Sequence, residues 1–201
     1  MFPLGSVLFP YALLPLHVFE ARYRALTEAC LAGDGEFGVV LIERGSEVGG
    51  GDTRFTVGTV AKIAEAGRLP DGRYVVAAVG TSRLRVRHWL PEEPYPRAQV
   101  DVLDEEQLDD GAGERLRPEV ERLLRRVLAL RTELGDVAAP AAVTLDVDPL
   151  RASFEAAAMA PLGSLDAQRV LELDSPSARL EALERLLSEE AEFLELRLAG
   201  S

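Results

Sequence analysis

The apolar residues of this chain change their period halfway along. Before residue 104 they gather in short, β-branched runs, and after residue 113 they recur every three or four positions. Side chains return to the same face every ~2 residues in a strand and every ~3.6 in a helix, so the first half reads as strands and the second as helices. The strand runs are Phe37–Ile42, Val57–Ala64, Tyr74–Val79, Arg83–Trp89 and Ala98–Leu103. Pro70-Asp71-Gly72 is a turn in which Gly72 supplies a positive φ. In Arg83–Trp89, Leu84, Val86 and His88 alternate with Arg83, Arg85 and Arg87, which places the arginines on a solvated outer face. Gly45–Asp52 (GSEVGGGD) reads as a flexible surface loop.

One helix interrupts the strands. Phe19, Tyr23, Leu26 and Cys30 form an apolar stripe, Glu20 and Arg24 stand in the favoured order for an ion pair four residues apart, and Gly33 ends the element. Asp104–Gly113 is acidic and poor in apolar residues, which marks a boundary between a β-rich domain at 1–106 and an all-α domain at 107–201. In the second domain Leu116, Val120, Leu123, Leu124, Val127, Leu128 and Leu134 form a helical stripe. Asp148-Pro149, Ser164 after Gly163, and Ser175-Pro176 carry helix-start chemistry: an oxygen to accept an orphan N–H, and in two cases a proline at the first position. The last helix, Pro176–Leu198, aligns Leu180, Leu183, Leu187 and Leu194, with Leu186 and Phe193 beside them. The leucines at seven-residue spacing suit packing against the preceding helices better than a coiled coil.

Composition narrows the functions available. A net charge of −12 opposes nucleic-acid phosphates and anionic membrane surfaces. Cys30 is the sole cysteine, so no intrachain disulfide forms and a reducing, cytoplasmic setting is expected. One Cys with His17 and His88 cannot supply the four ligands of a structural zinc site. Residues 1–19 carry no charged side chain, yet they lack a basic leader region and are broken by Pro3, Pro10 and Pro15. They read as short buried extended segments.

Phe2–Leu26 (FPLGSVLFPYALLPLHVFEARYRAL) resembles the opening of the amino-terminal domain of Lon proteases, and especially free-standing bacterial proteins built from that domain. There a proline-punctuated strand pair leads into a helix that begins like Leu16–Arg24 (LHVFEARYR). The similarity continues through Val57–Ala61, Leu69–Gly72, Gly80–Arg83, Asp148–Arg151, Pro161-Leu162, Gln168–Glu172 and Ser177–Leu180. Ala21 stands where the family commonly has proline. The resemblance implies an α+β chain: a PUA-like β-barrel or sheet with one inserted helix, followed by a helical bundle. It is related to a domain of the ubiquitin-ligase receptor cereblon. It implies a substrate-recognition role, with unfolded or degron-bearing proteins as partners and a protease as a further one.

No catalytic apparatus is legible. The phosphate loop G-x-x-x-x-G-K-[ST] cannot be written around Lys62, the only lysine, and no serine-lysine peptidase domain finds room. Cys30 lies on an apolar stripe and His17 in an apolar run, which suits core packing rather than a nucleophile and its base. Gly45-Ser46-Glu47 lacks a full nucleophile elbow. The carboxylates of Asp101–Asp110 lack calcium-loop spacing and read as a linker. No catalytic residue, metal ligand or cofactor is therefore expected. The candidate peptide-contact residues are Glu20, Arg22, Arg83 and Trp89, on a monomer or weak homodimer. The alternative is RNA binding by a PUA-like fold through Arg83, Arg85 and Arg87 beside Trp89 and Tyr95.

Overall fold

The computed structural model describes residues 1–45, 51–105, 111–136 and 140–200. It forms two compact units, Met1–Asp104 and Glu105–Ser201. The boundary expected between 106 and 107 lies outside the described residues. The fold is α+β, as the change of period requires.

The first unit is a mixed six-stranded sheet with one helix. Its elements are β1 (Phe2–Leu4), β2 (Leu13–Val18), α1 (Ala21–Ala32), β3 (Glu36–Arg44), β4 (Thr53–Arg68), β5 (Tyr74–Leu90) and β6 (Arg97–Val102). The path runs β1-β3-β4-β5-β2, with β6 also on β5. β1 is parallel to β3, and the other pairings are antiparallel. The two proline-punctuated strands therefore do not pair with each other. Phe2 and Leu4 go to one end of the path, and Leu16 and Val18 to the other.

Tyr74–Val79 and Arg83–Trp89, expected as separate strands, are one strand of 17 residues. Continuity survives because the register slips between Val60 and Ala61, where Thr81 has no partner in β4. The slip is a bulge, and beyond it Leu84 and Val86 are buried while Arg85 and Arg87 are exposed, as the alternation suggests. The bulge sits where residues 9–12 cross the sheet: Gly80 N–H donates to Ala12 O at 3.0 Å and Tyr11 N–H to Gly80 O at 2.8 Å. A Cβ on Gly80 would overlap the Phe9 carbonyl oxygen, so only glycine permits this crossing. The turn at Leu69–Arg73 is as expected, with Gly72 at φ 83°.

The core of this unit combines Phe2, Leu4, Leu16 and Val18 from the opening segment with Tyr23, Leu26 and Cys30 of α1 and Phe37, Val39, Val76 and Ala78 of the sheet. Phe2 stacks on Tyr23 with ring centroids 4.1 Å apart. Phe19 departs from the expected stripe. Glu20 is the extended N-cap of α1, so Phe19 precedes the helix and is 56% exposed. The expected Glu20–Arg24 pair is replaced by Arg22 Nε to Glu20 Oε2 at 3.1 Å.

The second unit holds four helices among the described residues: α2 (Ala112–Glu133), α3 (Pro149–Met159), α4 (Ser164–Glu172) and α5 (Pro176–Ala199). Asp148 accepts from Leu150 N–H at 3.1 Å and Ser175 from Ala178 N–H at 3.2 Å, so both caps form as read. Ser164 does not cap. It is the first residue of α4, and Gly163 is the N-cap. Leu180, Leu183, Leu187 and Leu194 are all buried, as are Val120, Leu124 and Val127 of α2, which packs against α5. The seven-residue leucine spacing thus serves packing within the unit.

Arg179 is the unexpected member of that core, fully buried over Phe154 at 4.0 Å. It donates to Ser153 Oγ at 3.0 Å and Leu173 O at 2.9 Å, and it pairs with Glu105 at 3.3 Å. No helix of the described residues is long and apolar enough to cross a membrane.

Two substitutions test this packing by urea unfolding. Gly80→Ala forces the 9–12 crossing off the sheet and is expected to cost about 3 kcal/mol, the upper end for overpacking. Arg179→Ala removes a buried cation from its acceptors on Ser153 and Leu173 and opens a void beside Phe154, with an expected cost of about 3–5 kcal/mol.

Candidate functional site

Of the four residues read from the sequence as peptide contacts, Glu20 and Arg22 pair with each other, and Trp89 stands by Arg54, whose partner Asp52 feels the Arg22 charge. Glu20 and Arg22 open α1 and form an ion pair, and the Arg22 guanidinium lies 4.4 Å from the centroid of the Tyr23 ring. On the far side of the corner, Arg54 at the start of β4 donates through Nε and Nη2 to both oxygens of Asp52. Its Nη2 also reaches Glu92 Oε1 at 2.7 Å. The Arg54 guanidinium stands 4.5 Å from the centroid of the Trp89 ring. Gly51, Asp52, Thr53, Arg54, Trp89 and Glu92 line an open depression of about 500 Å³.

The electrostatics tie the corner together. The Arg54 hydrogen bond holds the Asp52 carboxyl below the usual carboxylate range against the opposing effect of burial, and the Arg22 charge adds to the lowering. Burial pulls Arg54 downward, but hydrogen bonds to Asp52 and Glu92 outweigh it and its pKa rises. Burial pushes the Tyr23 hydroxyl up to about 12. The Asp52 carboxyl and the Arg54 guanidinium are thus charged at physiological pH, and the Tyr23 hydroxyl is neutral.

Arg83 does not join them. It is 1% exposed and registers opposite Thr59, whose hydroxyl donates to Leu8 O at 2.6 Å. Arg83 is buried although Arg85 and Arg87, which share its face of the strand, remain exposed. Arg87 is itself engaged by Asp101 at 2.5 Å. The arginine stripe expected on this strand is therefore interrupted at its first member.

The other candidates also fall into place. Cys30 is buried and donates to Glu36 O at 3.2 Å, and burial raises its thiol pKa. His17 is exposed on β2, opposite Val75, rather than in the core. Among the described residues no three His, Cys, Asp or Glu side chains are placed to hold a metal ion. Ser46, Glu47 and residues 106–110 lie outside the described residues.

Sequence reasoning missed Asp52, Arg54 and Glu92. Asp52 ends a glycine-rich loop, Arg54 begins a strand and Glu92 follows another, 38 residues later. No spacing rule connects them. The available signal was Trp89, the only tryptophan, which needs a partner for its ring face.

A six-stranded mixed sheet carrying one helix, followed by four helices, is the architecture of a Lon amino-terminal domain. The crystal structure of a Lon N-terminal domain protein from Xanthomonas campestris matches with a TM-score of 0.63 and 28% identity, covering 90% of this chain and 94% of that one. The N-terminal domain of the Mycobacterium avium complex Lon protease shares the fold, with a TM-score of 0.65 at 19% identity over 92% of this chain and 96% of that one.

Residues 1–189 match the family described as the ATP-dependent protease La (LON) substrate-binding domain, and the chain belongs to that family. Lon protease 2 of Herpetosiphon aurantiacus is 32% identical over 195 residues, 96% of this chain and 24% of that protein. The Escherichia coli K12 Lon protease is 27% identical over 94% of this chain and 24% of its own length. The chain thus spans about a quarter of the length of these relatives.

Asp52 sets a pH signature. A carboxyl held below its ordinary value takes up a proton more readily once unfolded, so its contribution is complete above about pH 5 and is lost as pH falls through the depressed value. Asp52→Asn is expected to destabilise the first unit at pH 7, with the gap to wild type narrowing steadily below about pH 4. Urea melts at a series of pH values, read through Trp89 fluorescence, check this.

Proposed function

We propose that this protein binds unfolded or degron-bearing segments of other proteins and acts as a non-catalytic adaptor or modulator of proteolysis in the cytoplasm. The observation that carries the reading is the family assignment over residues 1–189. We assign the contact surface to the N-terminal end of α1 and the adjoining Trp89 corner.

Three features support that placement. Phe19 is a large aromatic side chain left exposed beside paired charges. Trp89 lines an open depression rather than a closed core. The charges around it are already matched, Glu20 with Arg22 and Asp52 and Glu92 with Arg54, so an apolar segment can settle there without stranding an ion. Aromatic anchors surrounded by polar groups are the usual makeup of an interface hot spot. Arg83 is buried and is not part of this surface.

Cys30, buried with its thiol pKa raised, and His17, exposed, accord with a binding role rather than a chemical one. The RNA alternative loses its main support, because Arg83 is buried and Arg87 is paired with Asp101.

Fluorescence anisotropy with a labelled, reduced and carboxymethylated polypeptide tests the reading. Wild type is expected to bind the unfolded probe and to ignore its folded parent. Phe19→Ala and Trp89→Ala are each expected to weaken binding about tenfold, or ~1.4 kcal/mol. Phe19→Ala should leave the melting temperature unchanged, since the ring is exposed. Equal binding of folded and unfolded probes, or no binding of either, would overturn the proposal.

A further inference from the structure

The first turn of α1 carries charge of the wrong sign for a helix. A helix N-terminus presents unpaired N–H groups and a partial positive charge, and Asp or Glu is the stabilising occupant there. Here the first turn holds no acidic residue and the N-cap side chain accepts no helix N–H. Arg22 and Arg24 occupy it instead. Arg22 is neutralised by Glu20. Arg24 is not: among the described residues its Nε is buried without an acceptor. A buried donor left unmade costs free energy, and helix stability gives no reason for a cation at this point.

The Arg24 side chain ends at the tip of the β4–β5 hairpin. Its Nη1 lies 3.2 Å from where a Cβ on Gly72 would stand. At the foot of the same hairpin, Arg68 registers opposite Tyr74, so the two side chains share a face of the sheet. The Arg68 guanidinium lies 5.9 Å from the centroid of the Tyr74 ring. Tyr74 connects the two arginines. Its hydroxyl donates to Glu28 at 3.2 Å, and Glu28 stands one helical turn beyond Arg24.

The carboxylates in reach are committed elsewhere. Glu20 holds Arg22, Glu28 holds the Tyr74 hydroxyl, and Asp71 holds the backbone N–H and guanidinium of Arg73. In a chain with 34 acidic and 22 basic residues, two arginines at one corner that meet no carboxylate among the described residues leave room for an external anion. The net charge of −12 selects against polyanions, whereas a single carboxylate meets only the local field.

We propose that Arg24 and Arg68 form a subsite for one carboxylate of a bound polypeptide, seated beside the exposed Phe19 ring. The subsite deepens the protein-binding role argued above and depends on it for its biological meaning. It gives recognition a polarity: an apolar residue on Phe19, and an adjoining acidic side chain or chain-terminal carboxylate in the arginine fork. Guanidinium suits this task because its planar fork matches a carboxylate with two parallel hydrogen bonds.

The test has two parts. In the first, N-acetyl-phenylalanine is titrated into the 15N-labelled full chain and the Arg Nε–Hε signals are followed. Saturable shifts are expected for the Arg24 and Arg68 signals, absent with N-acetyl-phenylalaninamide. Arg24→Gln should abolish the Arg68 shift, and Arg68→Gln, at an exposed position, provides a variant that keeps the fold. Shifts of equal size with the amide, no shift with either compound, or tighter saturation by inorganic phosphate would each overturn the subsite.

In the second part, one unfolded peptide is compared as free acid and as carboxamide. The acid is expected to bind about tenfold tighter in wild type and equally in Arg24→Gln. If both forms bind alike in wild type, the carboxylate subsite fails while protein binding stands. If the small carboxylate moves the arginine signals but neither peptide binds, protein binding fails while the anion subsite stands.

Discussion

The pairing of β4 with β5 organises the whole first unit. Both strands are far longer than their neighbours, 16 and 17 residues, and each serves different partners along its length. β5 carries β2 against residues 74–79 and β6 against residues 84–90, so two short strands share one edge. The change-over is made by the bulge at Thr81 and the glycine before it. The bulge frees a register position, and Gly80 lets the 9–12 segment bind directly to the sheet backbone. Without that crossing, β1 and β2 could not reach opposite ends of the path, and α1 would lose the strand that leads into it.

That arrangement puts the proposed contact surface at the start of the helix. α1 buries Tyr23, Leu26 and Cys30 against the core and leaves its N-terminal turn at the surface. Arg22 and Arg24 then diverge, one toward the Asp52–Arg54 corner and the other toward the Gly72 turn. A helix built for stability alone would place carboxylates there, since two cations at its positive end are unfavourable. The departure from local preference is where a binding role is to be sought.

The second unit depends on a different device. Its apolar helices would pack in many ways, because leucine-rich faces are interchangeable. Arg179 reduces the choice. A buried guanidinium needs acceptors in fixed directions, and it finds them on Ser153 of α3 and the Leu173 carbonyl before α5, with Glu105 at the start of the unit as its counter-charge. Directional bonds of this kind define one arrangement where burial alone would not.

The α+β class, the turn at Gly72, two of the three helix caps and the apolar stripes of α2 and α5 were all decided locally. Each follows from a residue and its near neighbours, through backbone preference or the period of apolar side chains. Family resemblance was likewise legible in the string Phe2–Leu26. Position in three dimensions was not. Arg83 is buried on a face that the alternation read as solvated, and Phe19 left its stripe because the helix began two residues later. Asp52, Arg54, Trp89 and Glu92 met across 38 residues because the sheet register brings the ends of β4 and β5 together. Periodicity reports which face a side chain occupies; only long-range pairing decides what it will face.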